Sequence, residues 1–168
     1  MKITNILPLF YCSVLAAAIS PPSGLYTIIP EAFGHQGYVG RRQIEDRSLR
    51  PKEVLVLGGT PEAWSVERQS DGKYRLSQRG GFAGESNGRL VAFLTREQGT
   101  DRWLIDSSTE DGNDIFTLAR DPSRGWITPP PNDENDRQIW VQPLIIGAGE
   151  PPFYPPTELF RFVPLYDE

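Results

Sequence analysis

One pattern occurs three times along the 168-residue chain: Thr60-Pro61-Glu62-Ala63-Trp64-Ser65-Val66, Thr100-Asp101-Arg102-Trp103-Leu104-Ile105 and Thr157-Glu158-Leu159-Phe160-Arg161-Phe162. Each copy places a threonine and an acid before an aromatic residue and an apolar one. A second pattern, an aromatic and an aliphatic residue two positions apart, precedes each copy as Tyr26-Thr27-Ile28, Tyr74-Arg75-Leu76 and Phe116-Thr117-Leu118. The three opening aromatic residues lie 48 and then 42 residues apart. Such spacing indicates a protein built from three equivalent units.

Sixteen glycines and sixteen prolines separate short runs rich in Val, Ile, Tyr, Phe and Trp, which are typical of strands. These runs predict eleven strands, at 25–29, 37–41, 53–57, 63–68, 74–78, 89–95, 102–106, 115–119, 125–128, 138–142 and 159–163. Three units of about four strands each predict an all-β fold of the β-trefoil class, a six-stranded barrel capped by three hairpins about a pseudo-threefold axis.

The repeated pattern also predicts which side chains fill the barrel. Alternate residues of a strand share one face, so the aromatic and apolar residues of each copy are expected to point inward together. The expected pairs are Trp64 with Val66, Trp103 with Ile105, and Phe160 with Phe162. The acids of the three copies are expected to cap turn amides rather than to form a catalytic cluster. These acids are Glu62, Asp101 and Glu158.

Composition excludes several classes of function. Seventeen basic residues against 22 acidic ones give a net charge of −5, which offers no electrostatic footprint for nucleic acid. Cys12 and His35 are the only residues of their types, so a disulfide is impossible within the chain and a Ser-His-Asp triad would depend on a histidine between glycines. No metal-ligand spacing or phosphate-binding motif occurs. We therefore expect a protein without cofactor or metal that is not an enzyme.

The first twenty residues are typical of a secretory signal peptide. Lys2 precedes an apolar run from 6 to 18 that is shorter than the roughly 20 residues of a membrane span. Residues 1–20 are thus predicted to be a signal, with a single domain at 24–168, and the protein to be secreted, without a membrane partner. A misassigned start is the alternative, and it would make the protein cytoplasmic. A monomer suits a small binding protein.

Rigid scaffolds present function on loops, and a long, polar, arginine-rich connection runs from 41 to 52 as Arg41-Arg42-Gln43-Ile44-Glu45-Asp46-Arg47-Ser48-Leu49-Arg50-Pro51-Lys52. A trypsin-like protease binds an extended segment through one basic side chain, and the loop offers four arginines. Arg50 suits the cleavage position poorly because Pro51 restricts it, whereas Arg47 precedes the small Ser48. A solvated loop with surface ion pairs is the alternative, and composition alone favours it.

Several motifs in matching order resemble the cospin-type fungal serine protease inhibitors, across nearly all of the chain after the apparent signal. They are the run from Glu45 to Lys52, Gly24-Leu25-Tyr26, Gly125-Trp126, Pro143-Leu144-Ile145-Ile146-Gly147 and Glu150-Pro151-Pro152. The resemblance implies a β-trefoil that inhibits trypsin-like enzymes in a substrate-like manner. It implies that Arg47 enters the specificity pocket, that the Arg47–Ser48 bond lies against the protease nucleophile, and that Asp46 and Leu49 flank it. Members of this group generally act inside cells, unlike a secreted protein.

Two other functions remain open on sequence grounds. Related trefoils, the mycocypins, inhibit cysteine proteases, and segment 31–37 or the dipeptide Asn87-Gly88 offers weak analogues of their papain-binding and legumain-binding loops. Asn-Gly is also among the commonest turn dipeptides, which is the stronger interpretation of Asn87. A sugar-binding trefoil would need exposed aromatic platforms, for which only Trp126 and Trp140 remain outside the repeated pattern.

Overall fold

The computed structural model describes residues 20–95, 101–107, 113–133, 136–150 and 152–165, apart from the side chain of Leu118. The predicted signal peptide, residues 1–20, lies outside these residues except for Ser20, and Cys12 lies outside them as well. The strands are β1 (Gly24–Pro30), β2 (Tyr38–Gly40), β3 (Lys52–Glu53), β4 (Leu55–Leu57), β5 (Trp64–Arg68), β6 (Tyr74–Gln78), β7 (Gly81–Ser86), β8 (Arg89–Phe93), β9 (Trp103–Asp106), β10 (Ile115–Leu118), β11 (Asp121–Ile127), β12 (Trp140–Pro143) and β13 (Phe160–Pro164). Short 3₁₀ helices run over Glu31–Gln36 and Pro156–Glu158.

Six strands close into a barrel. The antiparallel pairs are β1 with β5, β5 with β6, β6 with β9, β9 with β10, and β13 with β1. The remaining gap is closed by a bridge between Asp114, just before β10, and Phe160 at the start of β13. Closure pairs both sides of each barrel strand, so this part of the fold presents no open sheet edge.

Three hairpin-like pairs cap one end of the barrel: β2 with β4, β7 with β8, and β11 with β12. Three residues from these caps bond to one another in a ring. The Val54 amide donates to the Leu90 carbonyl at 3.2 Å, Leu90 to Ile139 at 2.8 Å, and Ile139 back to Val54 at 3.0 Å. All three side chains are fully buried. This cyclic arrangement marks the pseudo-threefold axis and confirms the predicted β-trefoil.

Each of the eleven predicted strands overlaps a strand of the structure, but one strand was missed. The missed strand is β7, which contains Gly81, Ala83 and Gly84 at positions where strands usually carry branched or aromatic residues. Gly84 is required there because a Cβ at this position would lie 2.5 Å from the ring of Phe93 on β8. The small residues that concealed the strand are therefore what allows it to pack.

The repeated aromatic residues fill the barrel as predicted. Trp64, Trp103 and Phe160 are completely buried, and Val66 and Ile105 lie beside them in the core. The indole nitrogens of Trp64 and Trp103 donate to equivalent cap strands, to the carbonyls of Val39 at 2.8 Å and Ala83 at 3.2 Å. The third pair departs from the prediction, because Phe162 is only partly buried and packs against the edge of the core.

Two of the three repeated acids accept a backbone amide, although from distant segments rather than from their own turns. Asp101 accepts the amide of Glu85 at 2.6 Å, and Glu158 accepts that of Ile145 at 2.8 Å. Burial raises the pKa of the Glu158 carboxyl. Glu62 instead lies 3.2 Å from the guanidinium of Arg79. The acids are thus spread over the molecule and bind the scaffold, as a structural role requires.

Candidate functional site

The connection from β2 to β3 projects from the barrel as the exposed loop 41–51, which we call the reactive loop. Its apolar side chains face solvent: Ile44 is 90% exposed and Leu49 is 66% exposed. Arg47, between them, is exposed as well. The loop thus presents one cation between two exposed apolar side chains.

The first arm of the reactive loop, residues 41–45, is held in place by Arg41. This corrects the prediction that four arginines are offered to a protease. Arg41 is only 5% exposed, and its guanidinium donates to the Gln78 carbonyl at 2.7 Å and to the Glu45 carboxylate at 3.0 Å. Its own amide donates to the Gln78 side chain at 2.9 Å. Arg41 therefore anchors the loop to β6 and is not available to a partner.

A second arginine reaches the same arm from the next repeat. Arg79 lies in the tight turn between β6 and β7, where it and Gly80 adopt positive φ angles of 48° and 74°. Its guanidinium donates to the Arg42 carbonyl at 2.6 Å and approaches the Glu45 carboxylate to 3.6 Å. The arm is consequently held by groups that lie more than thirty residues away in sequence, for which no local signal exists.

The second arm of the reactive loop, residues 46–51, is held in place by Lys52, the first residue of β3. Lys52 is 6% exposed, and its ammonium donates to the Asp46 carboxylate at 2.6 Å and to the Asp46 carbonyl at 3.0 Å. The same carboxylate accepts the Ser48 amide at 2.8 Å and the Ser48 hydroxyl. Hydrogen bonds from Lys52, and then from Ser48, hold the pKa of the Asp46 carboxyl well below its ordinary value.

Arg47 is thus an exposed cation between two tied neighbours. Within the described residues, no hydrogen bond or ion pair reaches the guanidinium of Arg47 or of Arg50. The two differ in backbone context, because Arg50 precedes Pro51 and only Arg47 is bracketed by the bonded pair Asp46 and Ser48. The structure therefore brings the predicted residues 46, 47, 48 and 49 together on one exposed surface.

The role of Arg41 leads to a stability prediction. Arg41→Ala should lower the free energy of unfolding by about 3 kcal/mol, because it leaves the carboxylate of Glu45, which is only 17% exposed, without its main partner. The matched control is Arg42→Ala, whose ion pair with Glu53 is 3.8 Å long and exposed on both sides, and which should cost less than about 1 kcal/mol. Urea unfolding followed by circular dichroism measures both. Equal losses in the two variants would show that the buried contacts of Arg41 contribute no more to stability than an exposed ion pair does.

The second predicted loop is a compact hairpin turn. Asn87 and Gly88 connect β7 to β8 with φ angles of 53° and 75°, and the Gly88 amide donates to the Glu85 carboxylate at 2.6 Å. Asn87 is exposed. The positive φ angles match the two-residue turn expected of Asn-Gly, and such a curled backbone differs from the extended segment that a protease cleft binds.

Other predicted features carry no separate site. His35 is exposed in the 3₁₀ helix of segment 31–37. Trp126 is fully buried, which excludes it as a sugar platform, and half-buried Trp140 lies beside Arg89. In the part of the chain that the structure describes, no group of three His, Cys, Asp or Glu residues could hold a metal ion. No described helix is long and apolar enough to cross a membrane.

The structure is thus a closed barrel that holds one exposed basic loop by buried contacts, and rigid scaffolds commonly present function on such loops. The chain belongs to the peptidase inhibitor I66 family, whose model matches residues 19–164. It is therefore a protease inhibitor and not an enzyme, and the family resemblance drawn from the sequence is confirmed.

Three of the similar proteins are fungal. A serine protease inhibitor from Lentinula edodes is 30% identical over 130 residues, covering 76% of this chain and 89% of that protein. The proteinase inhibitor from Coprinopsis cinerea is 33% identical with a TM-score of 0.76, covering 87% of this chain and all of the other. The Rhizoctonia solani agglutinin, at 16% identity and a TM-score of 0.67 over 89% of this chain and all of the other, shares the fold.

Proposed function

We propose that this protein inhibits trypsin-like serine proteases by inserting Arg47 into the specificity pocket, with the Arg47–Ser48 bond placed against the protease nucleophile. One observation carries the proposal: Arg47 is exposed and its guanidinium has no partner among the described residues, while Asp46 and Ser48 on either side of it both contact the buried ammonium of Lys52. The relative from Lentinula edodes, named a serine protease inhibitor, supports the choice of protease class.

The charge of Arg47 determines which protease fits. A pocket with a carboxylate at its base binds a guanidinium through charge-assisted hydrogen bonds, which are the strong ones. Because the Arg47 guanidinium makes no described internal bond, entering such a pocket breaks none. A pocket lined by apolar groups would instead have to bury this charge unpaired, at a large cost.

The rigidity of the reactive loop favours inhibition over digestion. Ordering a flexible segment costs roughly 0.5–1.5 kcal/mol for each immobilised side chain, and this cost reduces affinity. Here the buried contacts of Arg41 and Lys52 order the loop before the protease arrives. Pro51 restricts the exit of the loop further. The exposed side chains of Ile44 and Leu49 would then add apolar burial on docking.

The competing functions receive less support from the geometry. Sugar-binding trefoils need exposed aromatic platforms, and Trp126 is buried while Trp140 is half-buried beside Arg89. Inhibition of cysteine proteases through segment 31–37 or Asn87 remains a prediction that only assays can decide. We therefore keep papain and legumain as parallel targets in the test.

The test is a titration of the intact protein against trypsin, a chymotrypsin-like protease, papain and legumain. We expect tight inhibition of trypsin, much weaker inhibition of the chymotrypsin-like enzyme, and slow cleavage at Arg47–Ser48 detectable by mass spectrometry of the complex. Absence of trypsin inhibition, or cleavage elsewhere in the reactive loop, would refute the proposal. Inhibition of papain or legumain alone would transfer the function to the other loops.

A further inference from the structure

We propose that Asp46, held by Lys52, is the positioning residue that keeps the Arg47–Ser48 bond from being turned over by a bound protease. The inference rests on the proposed function and assigns a specific task to one side chain within it. Asp46 would retain Ser48, the residue on the leaving side of the bond, in the place where the bond can be remade.

The geometry is specific to the bond in question. The Asp46 carboxylate accepts a hydrogen bond, 2.8 Å long, from the Ser48 amide, whose nitrogen is the leaving atom of the Arg47–Ser48 peptide. It also accepts the Ser48 hydroxyl, so two donors of the same residue meet one carboxylate. One side chain therefore spans the bond from its acyl side to its leaving side.

The carboxylate is itself anchored to the sheet. Asp46 is 70% exposed, but the Lys52 ammonium that binds it at 2.6 Å is 6% exposed and belongs to β3. β3 pairs with β8, where Lys52 lies opposite Ala92. The Lys52 ammonium also lies 3.4 Å from the Ser48 hydroxyl. Loop residues on both sides of Arg47 are thus connected to the buried side chain of Lys52.

The chemical step shows what this contact controls. The hydroxyl of the protease serine attacks the Arg47 carbonyl carbon and its proton passes to the protease histidine. The bond to the Ser48 nitrogen then breaks as that proton moves onto the nitrogen, which leaves an ester on the protease and a free amine on Ser48. The amine can attack the ester and reverse every transfer, or water can attack instead and release a cleaved chain.

The position of the amine decides between these outcomes. Well-oriented intramolecular nucleophiles reach effective concentrations of about 10⁵–10⁸ M, so an amine held beside the ester competes strongly with water. Asp46 can keep its bond to the Ser48 nitrogen after cleavage, because the amine remains a donor and becomes a cation when protonated. Without that contact, the amine would move away and hydrolysis would gain.

The test compares how long inhibition lasts rather than how tight it is at the start. Asp46→Ala should be cleaved by trypsin at Arg47–Ser48 about 10- to 100-fold faster than the unmodified protein, the change expected for losing one charged hydrogen bond. Asp46→Asn, which keeps an acceptor but loses the ion pair with Lys52, should fall between the two. Chromatography of the cleaved chain and recovery of trypsin activity measure the rates.

The chain offers a matched control. Asp121 accepts the amide of Ser123 at 3.3 Å and its hydroxyl at 2.6 Å, the same motif at the start of β11. Asp121→Ala should leave the cleavage rate unchanged. An unchanged rate in Asp46→Ala, with the fold verified by circular dichroism, would overturn the inference alone. Failure of the unmodified protein to inhibit trypsin would overturn the proposed function first.

Discussion

Replacing Arg47 with alanine should weaken the inhibition of trypsin by about 10³-fold or more, equivalent to ~4 kcal/mol or more and within the ~2–8 kcal/mol range of interface hot spots. The substitution removes the charged hydrogen bonds to the pocket carboxylate and leaves that carboxylate unpaired in the complex. Arg47→Glu should inhibit more weakly still, because it adds repulsion between like charges. Inhibition constants from progress curves at fixed salt measure the effect.

The control for this prediction lies three residues away. Arg50 is also exposed, and its guanidinium likewise has no partner within the described residues. Arg50→Ala should change the inhibition constant less than about tenfold, since an exposed cation at the rim contributes mainly to encounter. A large loss at Arg50 with none at Arg47 would move the reactive bond and contradict the proposed function. Arg41 is unsuitable as a control because it anchors the loop.

Trp126→Ala should lower the free energy of unfolding by about 3–5 kcal/mol, the range measured when large aromatic side chains are deleted from cores. The Trp126 ring is fully buried and stacks on Phe116 with 4.1 Å between ring centres. It also meets the edges of Trp103 at 5.4 Å and Phe160 at 5.7 Å. Because small domains are stable by only ~5–15 kcal/mol, this variant should unfold at much lower urea concentration.

Trp126→Phe is the matched control for the cavity that the alanine variant would leave. The indole nitrogen of Trp126 is buried and has no acceptor among the described residues, so phenylalanine removes an unsatisfied donor while keeping most of the ring contacts. We expect it to cost clearly less than the alanine variant in urea unfolding. An equal loss of unfolding free energy in both variants would contradict this expectation, because it would show that the loss does not depend on the volume of the cavity.

The strands and core of this fold were largely readable from local patterns. The period-two placement of Trp64 with Val66 and of Trp103 with Ile105 sufficed, because a strand shows its buried face through alternation. Phe162 followed the same pattern but is only partly buried, because it borders a surface cavity beside Tyr26. β7 was missed because its small residues have low strand propensity, although they are what allows the strand to pack tightly against Phe93.

The reactive loop shows a similar division. Exposed Arg47 and its small neighbour Ser48 could be chosen from the sequence, and the spacing of Asp46 and Ser48 is a local signal for a side chain that binds the amide two residues on. The contacts of Arg41 and Arg79 could not be foreseen. The backbone carbonyls that they bind lie 37 residues distant, and an arginine in a polar loop is usually exposed.

By itself, the sequence determined the threefold β architecture and the position of the basic loop, because alternation and repetition are properties of neighbouring residues along a strand. Only the tertiary structure decided which arginine faces solvent. Buried Arg41 and exposed Arg47 have the same chemistry, and they differ in whether the folded chain places acceptors such as the Gln78 carbonyl within hydrogen-bond distance. That distance is set by closure of the barrel and packing of its caps, which no local stretch of sequence encodes.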